Sequence, residues 1–179
     1  MKLDTLKALY VEGLRDLYSA ERQILRALPK MIEGASSEQV KAAFSHHMSQ
    51  TEEQVVRLET ICEELGVSPK GKHCKGMEGL VAEGDELLDE DAEADVMDAG
   101  LIAAAQHVEH YEIAGYGTVR TYATLLGYDD QSELLQISLL EERETDEQLT
   151  EIALTVNVDA MVAEPADDVS ASPATTTKA

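Results

Sequence analysis

Apolar residues recur at spacings of three and four along four long segments of this chain, and this repeat constrains the fold more than any other feature. An α-helix with 3.6 residues per turn gathers such residues on one face, whereas a half-buried strand needs strict alternation. The sequence has no long alternation of Val, Ile and Thr. We therefore expect an all-α protein in which each long helix buries one apolar stripe.

Four long helices are predicted, at about residues 4–32, 37–65, 94–126 and 132–157. Ser36 and Gln39 have the spacing of a capping box at the start of the second helix. Gly66 and Gly127 follow the second and third helices, where glycine commonly ends a helix. Pro29 lies near the end of the first helix and is expected to kink or stop it.

The connection between the second and third helices is long and contains one short helical candidate at about residues 76–89. Short turns on either side make two antiparallel hairpins, and the long connection allows a parallel crossover between them. This arrangement is a ferritin-like four-helix bundle with one long crossover containing a short extra helix. The bundle is predicted to be a single domain, 1–157, and residues 158–179, rich in Ala, Asp, Ser and Thr, to be a disordered tail.

Polar side chains interrupt all four apolar stripes near the middle of each helix. They are Glu21 in the first, His47, Gln50 and Gln54 in the second, Glu109 and Glu112 in the third, and Glu142 and Asp146 in the fourth. Unpaired carboxylates in a core cost several kcal/mol each, or take up protons, unless a positive charge compensates them. Divalent cations would supply that charge, and we expect these residues to form a metal site.

The donor types indicate which metal is bound. Carboxylate oxygens with an imidazole suit iron or manganese, and no cysteine lies on the four stripes. The five carboxylates are nearly neutralised by two divalent ions, so we expect one or two ions of iron or manganese per chain. For any single acid the alternative is a solvated helix surface, which is common in so acidic a chain. No catalytic residue is assigned.

Charge and cysteine content restrict the partners and the compartment. The 36 acidic residues against 14 basic ones give a net charge of −22, which disfavours binding to nucleic acid or to anionic membranes. Charged residues run through the first twenty positions, so no signal peptide is expected. Cys62 and Cys74 are interpreted as reduced thiols in a cytoplasmic protein.

Five strings stand out in order along the chain, namely DLYSAERQILRALPKM, GMEGLVAEGDELL, DAGLIAAAQHVEHYEIAGYGTV, LLGY and EERETDEQLTEIA. They closely resemble the YciF-type ferritin-like proteins, a bacterial family associated with stress. The resemblance covers about residues 3–157, and AAAQHVEHYEIAGYGT is its most specific part. It implies a four-helix ferritin-like fold, a homodimer and two bound metal ions.

The resemblance also implies which residues bind the metals. Glu21, Glu109, Glu112, Glu142 and Asp146 fall on the metal positions presumed for the family. The second helix departs from the pattern, because Ser49-Gln50-Thr51 stands where the family usually has Glu-Glu-Thr. A neutral glutamine is a weak ligand, so one of two metal positions is expected to be weaker, unless His47 or Gln54 compensates.

Three functions remain open from the sequence. The first is a non-haem dimetal oxidoreductase that consumes peroxide or oxygen in an oxidative or general stress response. The second is sequestration of iron or manganese without turnover. The third is a structural stress protein whose core acids are protonated or hydrated. Storage in a hollow shell is disfavoured, because no threefold or fourfold contact is recognisable, and a homodimer is expected.

Overall fold

The computed structural model describes residues 3–162, which are all-α and contain no strand. The helices are α1 at Leu6–Gly34, α2 at Glu38–Glu64, α3 at Lys75–Leu88, α4 at Ala94–Leu125 and α5 at Asp129–Val162. The all-α prediction is therefore confirmed. None of these helices combines the length and the apolar character that crossing a membrane requires.

The four long helices form a bundle of two hairpins. α1 packs against α2 and α4 against α5, and the hairpins meet through α1 with α4 and α2 with α5. Asp98, near the start of α4, contacts the start of α2, so α2 and α4 begin at the same end and run parallel. The short helix α3 lies in the crossover and packs on α1 and α4. The predicted ferritin-like bundle is confirmed.

Glycines end two of the helices, as predicted. Gly66 follows α2 with φ of 67° and Gly127 follows α4 with φ of 74°, a backbone conformation that side chains with a Cβ rarely adopt. Pro29 does not stop α1, because the helix continues through it to Gly34. Proline removes one amide donor close to a helix end, and burial of Leu28 and Met31 on either side holds the last turn.

The capping box predicted at the start of α2 is wrong. The N-cap residue is Ser37, and its side chain makes no capping hydrogen bond. Instead the backbone N–H groups of Ser36 and Ser37 donate to the two carboxylate oxygens of Asp98, at 2.7 and 2.8 Å. A buried carboxylate from α4 caps this helix because an anion is favoured at a helix N-terminus.

The last helix is longer than predicted at both ends. α5 begins at Asp129, before the expected start at residue 132, and continues to Val162. The first residues of the predicted tail, 158–162, are therefore helical. The rest of that prediction, from residue 163 onwards, lies outside the described residues.

Buried apolar side chains form two clusters at different heights in the bundle. One contains Ile24, Leu28, Phe44, Leu101, Ile102 and Leu149. The other contains Leu14, Leu17, Leu58, Ile61, Val119 and Leu135. Along each long helix the polar residues of the apolar stripe lie between these two clusters. The bundle therefore encloses a polar layer between two apolar ones.

Candidate metal centre

The polar layer brings together side chains from all four long helices. They are Glu21 of α1, His47 and Gln54 of α2, Glu109 and Glu112 of α4, and Glu142 of α5, and none is more than 3% exposed. Spacings of three and seven residues keep the paired members on one helix face. These acids are therefore inside the core rather than on a solvated face.

Four of these residues converge on one point. His47, Glu109, Glu112 and Glu142 each offer a ligand atom, and the four atoms lie within 4.8 Å of one another. An ion with ligand atoms at about 2.1 Å holds opposite ligands about 4.2 Å apart. The four side chains could therefore hold one metal ion after small adjustments. They supply three carboxylates and one imidazole, and no thiolate.

Many buried polar atoms of this layer make no hydrogen bond within the described part of the chain. They are Glu21 Oε2, both ring nitrogens of His47, Gln54 Oε1, Glu109 Oε2, both carboxylate oxygens of Glu112, and Glu142 Oε2. A buried polar atom without a partner costs about 1–3 kcal/mol. Coordination of a metal would satisfy several of these atoms, among them one ring nitrogen of His47 and carboxylate oxygens of the three glutamates around it, so the residues present fit a metal ion.

Burial changes the proton affinity of every acid in the layer. Burial and the neighbouring Glu142 carboxylate raise the pKa of Glu21 and Glu109 well above its ordinary value. Burial, with the charge of Glu21, does the same to the pKa of Glu112. Burial raises the pKa of Glu142 to about 7. Without a cation nearby, each of these carboxyl groups therefore keeps its proton to a higher pH than an ordinary glutamate does.

The imidazole of His47 shifts in the opposite direction. Burial lowers its pKa to about 4, because a charged ring would lose its hydration there. The ring is therefore neutral across the physiological range and keeps a lone pair on one nitrogen. A neutral imidazole is the form that binds a metal.

Two further groups hold the carboxylates from outside the four-atom cluster. The phenol of Tyr116 donates a hydrogen bond to Glu21 Oε1. The side-chain amide of Gln54 donates to Glu142 Oε1, and to Glu141 Oε2 at 3.1 Å. Partners of this kind orient carboxylates around a metal. The role of Tyr116 was missed from the sequence, although its spacing of four from Glu112 places both on one helix face.

Arg57 continues this network towards the surface. Its guanidinium contacts both oxygens of Glu141, with Nη2 donating to Oε1 at 2.8 Å, and Nη1 donates to Ser138 Oγ at 3.2 Å. The Arg57 and Glu141 side chains are only 15% and 16% exposed. A hydrogen-bonded path therefore runs from Glu142 through Gln54 and Glu141 to the guanidinium.

The structure does not bring Asp146 and Gln50 into the four-atom cluster. Asp146 is 24% exposed and lies between α4 and α5, where it accepts from Gln106 Nε2 at 3.0 Å and contacts His110 Nε2 at 3.3 Å. The neighbouring Thr145 takes the buried position at this turn. Gln50 is half-buried, and its amide oxygen accepts from Thr145 Oγ1 at 3.4 Å.

Both cysteines are free and buried, and they lie outside the metal cluster. Cys74 immediately precedes α3. Its thiol lies 2.9 Å from Tyr111 Oη and 3.3 Å from Asp16 Oδ2, and its N–H donates to Ser19 Oγ at 2.9 Å. These contacts attach the start of α3 to α1 and α4, so Cys74 helps to position the crossover.

Comparison with known proteins identifies a family and a relative of this chain. A family model described as a domain of unknown function, DUF892, matches residues 5–161. The chain is 42% identical over 155 residues to Protein YciF from Escherichia coli (strain K12), an alignment that covers 86% of this chain and 93% of that protein. The residues that the family model matches include all of α1 to α4 and all but the last residue of α5.

Solved structures agree with the fold. The crystal structure of the E. coli stress protein YciF matches with a TM-score of 0.84 and 41% identity, covering 87% of this chain and 99% of that one. YcfI from Rhodopseudomonas palustris matches with a TM-score of 0.80 and 41% identity, covering 84% and 97%.

A third structure is a more distant match. A ferritin-like, diiron-carboxylate protein from Bacillus anthracis str. Ames has a TM-score of 0.65 and 17% identity, covering 86% of this chain and 99% of that one, which shows a shared fold. The family model and the long, 42% identical alignment lead to one conclusion. The chain belongs to the DUF892 family and is related to the YciF-type proteins that its sequence resembles.

Proposed function

We propose that this protein binds iron or manganese in the polar layer of its bundle and uses the site in an oxidative or general stress response. The observation that carries the proposal is the convergence of His47, Glu109, Glu112 and Glu142 on one buried point with unpaired ligand atoms. The naming of the E. coli relative as a stress protein supports the physiological role.

The donor set supports the choice of metal. Three carboxylates and a neutral imidazole, without a thiolate, suit iron or manganese better than a soft metal. The diiron-carboxylate neighbour of the same fold agrees with this choice. Such an ion would supply Lewis acidity and a change of oxidation state for reaction with peroxide or oxygen.

The number of ions is proposed to be one or two per chain. The first is held by the four converging residues. Glu21, with its unpaired Oε2 next to Glu112, would share a second ion, and four carboxylates balance the charge of two divalent ions. The second ion is bound more weakly, because Gln50 is neutral and half-buried and Asp146 lies outside the cluster. Asp146 remains a candidate ligand only if its side chain turns inward.

Sequestration without turnover is the alternative function, and one observation favours it. Every residue of the four-atom cluster is buried, so a substrate larger than a few atoms has no direct access. Peroxide or oxygen consumption requires only a narrow path to the metal. Loss of peroxide or oxygen above the protein-free rate, measured with the metal-loaded protein, would distinguish turnover from sequestration.

A homodimer in the cytoplasm is proposed as the physiological form. The exposed apolar side chains Leu154, Val158 and Met161 follow one face of α5 and support association of two copies. The free thiols of Cys62 and Cys74 suit a reducing compartment. Light scattering of the purified full chain measures the oligomeric state directly.

Metal analysis of the purified protein tests the main proposal. We expect bound iron or manganese in the wild type, a strong loss of it in Glu142→Gln, and no loss in Glu144→Gln, an exposed glutamate on the same helix. Metal should also raise the melting temperature of the wild type, because a ligand that binds only the folded state stabilises it. A content below about 0.2 ions per chain with no thermal shift would refute metal binding.

A further inference from the structure

A small cavity lies between α1, α3 and α4 and reaches the candidate metal centre. Its volume is about 30 Å³, and His47 and Glu109 form part of its wall. A water-sized molecule needs about 10–15 Å³ of such space, so the cavity has room for one or two very small molecules. The cavity ends on two of the four proposed metal ligands.

The rest of the cavity wall is aliphatic. Ile24 and Leu28 come from α1, Leu80 and Val81 from α3, and Val108 from α4. Ile24 and Leu28 are buried, whereas Leu80 and Val81 are half-buried where α3 packs on the core. The cavity therefore extends from half-buried residues of α3 to the buried side chains of His47 and Glu109.

The apolar character of the cavity wall determines which small molecules can enter the cavity. Water, ions and peroxide would lose hydrogen bonds along an aliphatic path, at a cost of several kcal/mol for an unpaired polar group. Aliphatic cavities of this kind stay dry and accept small apolar molecules such as xenon. Dioxygen is apolar and diatomic, so it loses no hydrogen bond on entry and fits the available volume.

We infer that this cavity is the path by which dioxygen reaches the metal centre, between α3 and the α1–α4 pair. The inference rests on the proposed function, because it assigns the oxidant of the same site. It predicts that α3, the short helix of the crossover, controls access to the metal. Residues of α3 that face the cavity then set how fast a small apolar molecule arrives.

Substitution of Gly84 offers an experimental way to close the path. It is a buried residue of α3 that lines the cavity, and a Cβ placed there would meet no atom within 4 Å. A larger side chain at Gly84 would therefore extend into the cavity without a clash at its first carbon. Gly79 is the matched control, because it lies in the same helix, is exposed and also has open space at its Cβ.

The first test is xenon binding in crystals of the full chain, detected by anomalous scattering. We expect xenon beside His47 and Glu109 in the wild type and in Gly79→Leu, and none there in Gly84→Leu. Both substitutions remove a helical glycine and raise helix propensity alike, so a difference between them reports on the cavity. If Gly84→Leu does not fold, Gly84→Ala should lower the xenon occupancy relative to Gly79→Ala.

The second test uses nitric oxide, an uncharged diatomic like dioxygen that colours ferrous ions when it binds. Association with the ferrous-loaded protein, followed by stopped flow, should slow by about tenfold or more in Gly84→Leu, which is about 1.4 kcal/mol in the barrier. Gly79→Leu should react at the wild-type rate. Equal rates in all three proteins, or no xenon in the wild-type cavity, would overturn the inference.

The two proposals fail in different ways. Xenon binding does not require a metal, and metal analysis does not require the cavity. A protein that takes up iron but no xenon contradicts the dioxygen path alone. A protein that takes up xenon but neither iron nor manganese contradicts the proposed function, and with it the role of the cavity in that function.

Discussion

The imidazole of His47 and the carboxylate of Glu109 face each other across the bundle, with Nε2 3.3 Å from Oε1, but they make no hydrogen bond. The other ring nitrogen lies 3.9 Å from Glu142 Oε2, again without a hydrogen bond. A neutral imidazole carries one N–H and one lone pair, so one of these two nitrogens directs a lone pair towards a carboxyl oxygen, and a proton or a cation between them would relieve the repulsion. This relationship between α2 and α4 is what a metal would stabilise.

Removal of the imidazole should weaken metal binding. His47→Ala deletes a proposed ligand, and we expect a loss of affinity of at least roughly 10- to 100-fold, the range seen even for residues that only support a ligand. His46→Ala is the matched control, because His46 is the adjacent residue on α2 and is exposed. Calorimetric titration with manganese measures both, and equal affinities would exclude His47 as a ligand.

The metal-free protein should lose stability as the pH rises through neutrality. Glu142, with a pKa raised to about 7, binds a proton in the folded state that the unfolded chain releases near its ordinary value of 4.5. Between those two pKa values the proton bound to Glu142 stabilises the folded state, and this stabilisation decreases as the pH rises towards 7. The raised pKa values of Glu21, Glu109 and Glu112 act in the same direction.

His47 opposes this trend, but only below about pH 6.5. Because its folded pKa of about 4 is below the ordinary 6.5, it adds stability as pH rises between those values. The four glutamates outweigh it, so the urea midpoint with chelator should be lower at about pH 8 than at about pH 5.5. Glu142→Gln should reduce the difference, and saturating manganese should abolish or reverse it. A midpoint that rises with pH would contradict the proton uptake.

The carboxylate of Asp98 should stabilise the start of α2. Asp98→Ala leaves the N–H groups of Ser36 and Ser37 without their acceptor, and we expect a loss of about 1–2 kcal/mol in the free energy of unfolding. Asp95→Ala, an exposed position in the first turn of α4, should change it by less than about 0.5 kcal/mol. Urea denaturation measures both, and equal losses would show that the cap is not responsible.

Arg57 makes one ion pair with a largely buried glutamate and one with an exposed glutamate, and the two can be compared. It contacts Glu141, which is 16% exposed, and Glu53, which is 73% exposed, through the same guanidinium. A double-mutant cycle of Arg57→Met with Glu141→Gln should give a coupling of about 1–3 kcal/mol. The cycle with Glu53→Gln should give less than about 0.5 kcal/mol, because solvent screens that pair. Equal couplings would argue against a path from Glu142 to Arg57.

The spacing of apolar residues alone was sufficient to predict most of the acids of the polar layer. Glu21, Glu109, Glu112 and Glu142 each lie three, four or seven residues from a buried aliphatic residue on their own helix, and all four are buried. Such spacing identifies the face of a helix to within about one residue. It could not choose between Thr145 and Asp146, which are adjacent, and the structure buries the threonine.

The capping of α2 shows a different limit. Ser36 and Gln39 have the spacing of a capping box, yet the cap comes from Asp98, far away in sequence. A local motif predicts which hydrogen bonds are available, but a buried carboxylate from a neighbouring helix competes for the same N–H groups. No spacing within α2 could have indicated that competitor.

The sequence by itself determined the all-α class, the two hairpins with their crossover, and the acids on the apolar stripes, because these depend on the helical repeat and on turn residues. Only the tertiary structure decided that His47 joins Glu109, Glu112 and Glu142, that Tyr116 supports Glu21, and that an aliphatic cavity reaches the site. Those relationships depend on how four helices are rotated and displaced against one another, and the repeat within one helix contains no information about its neighbours.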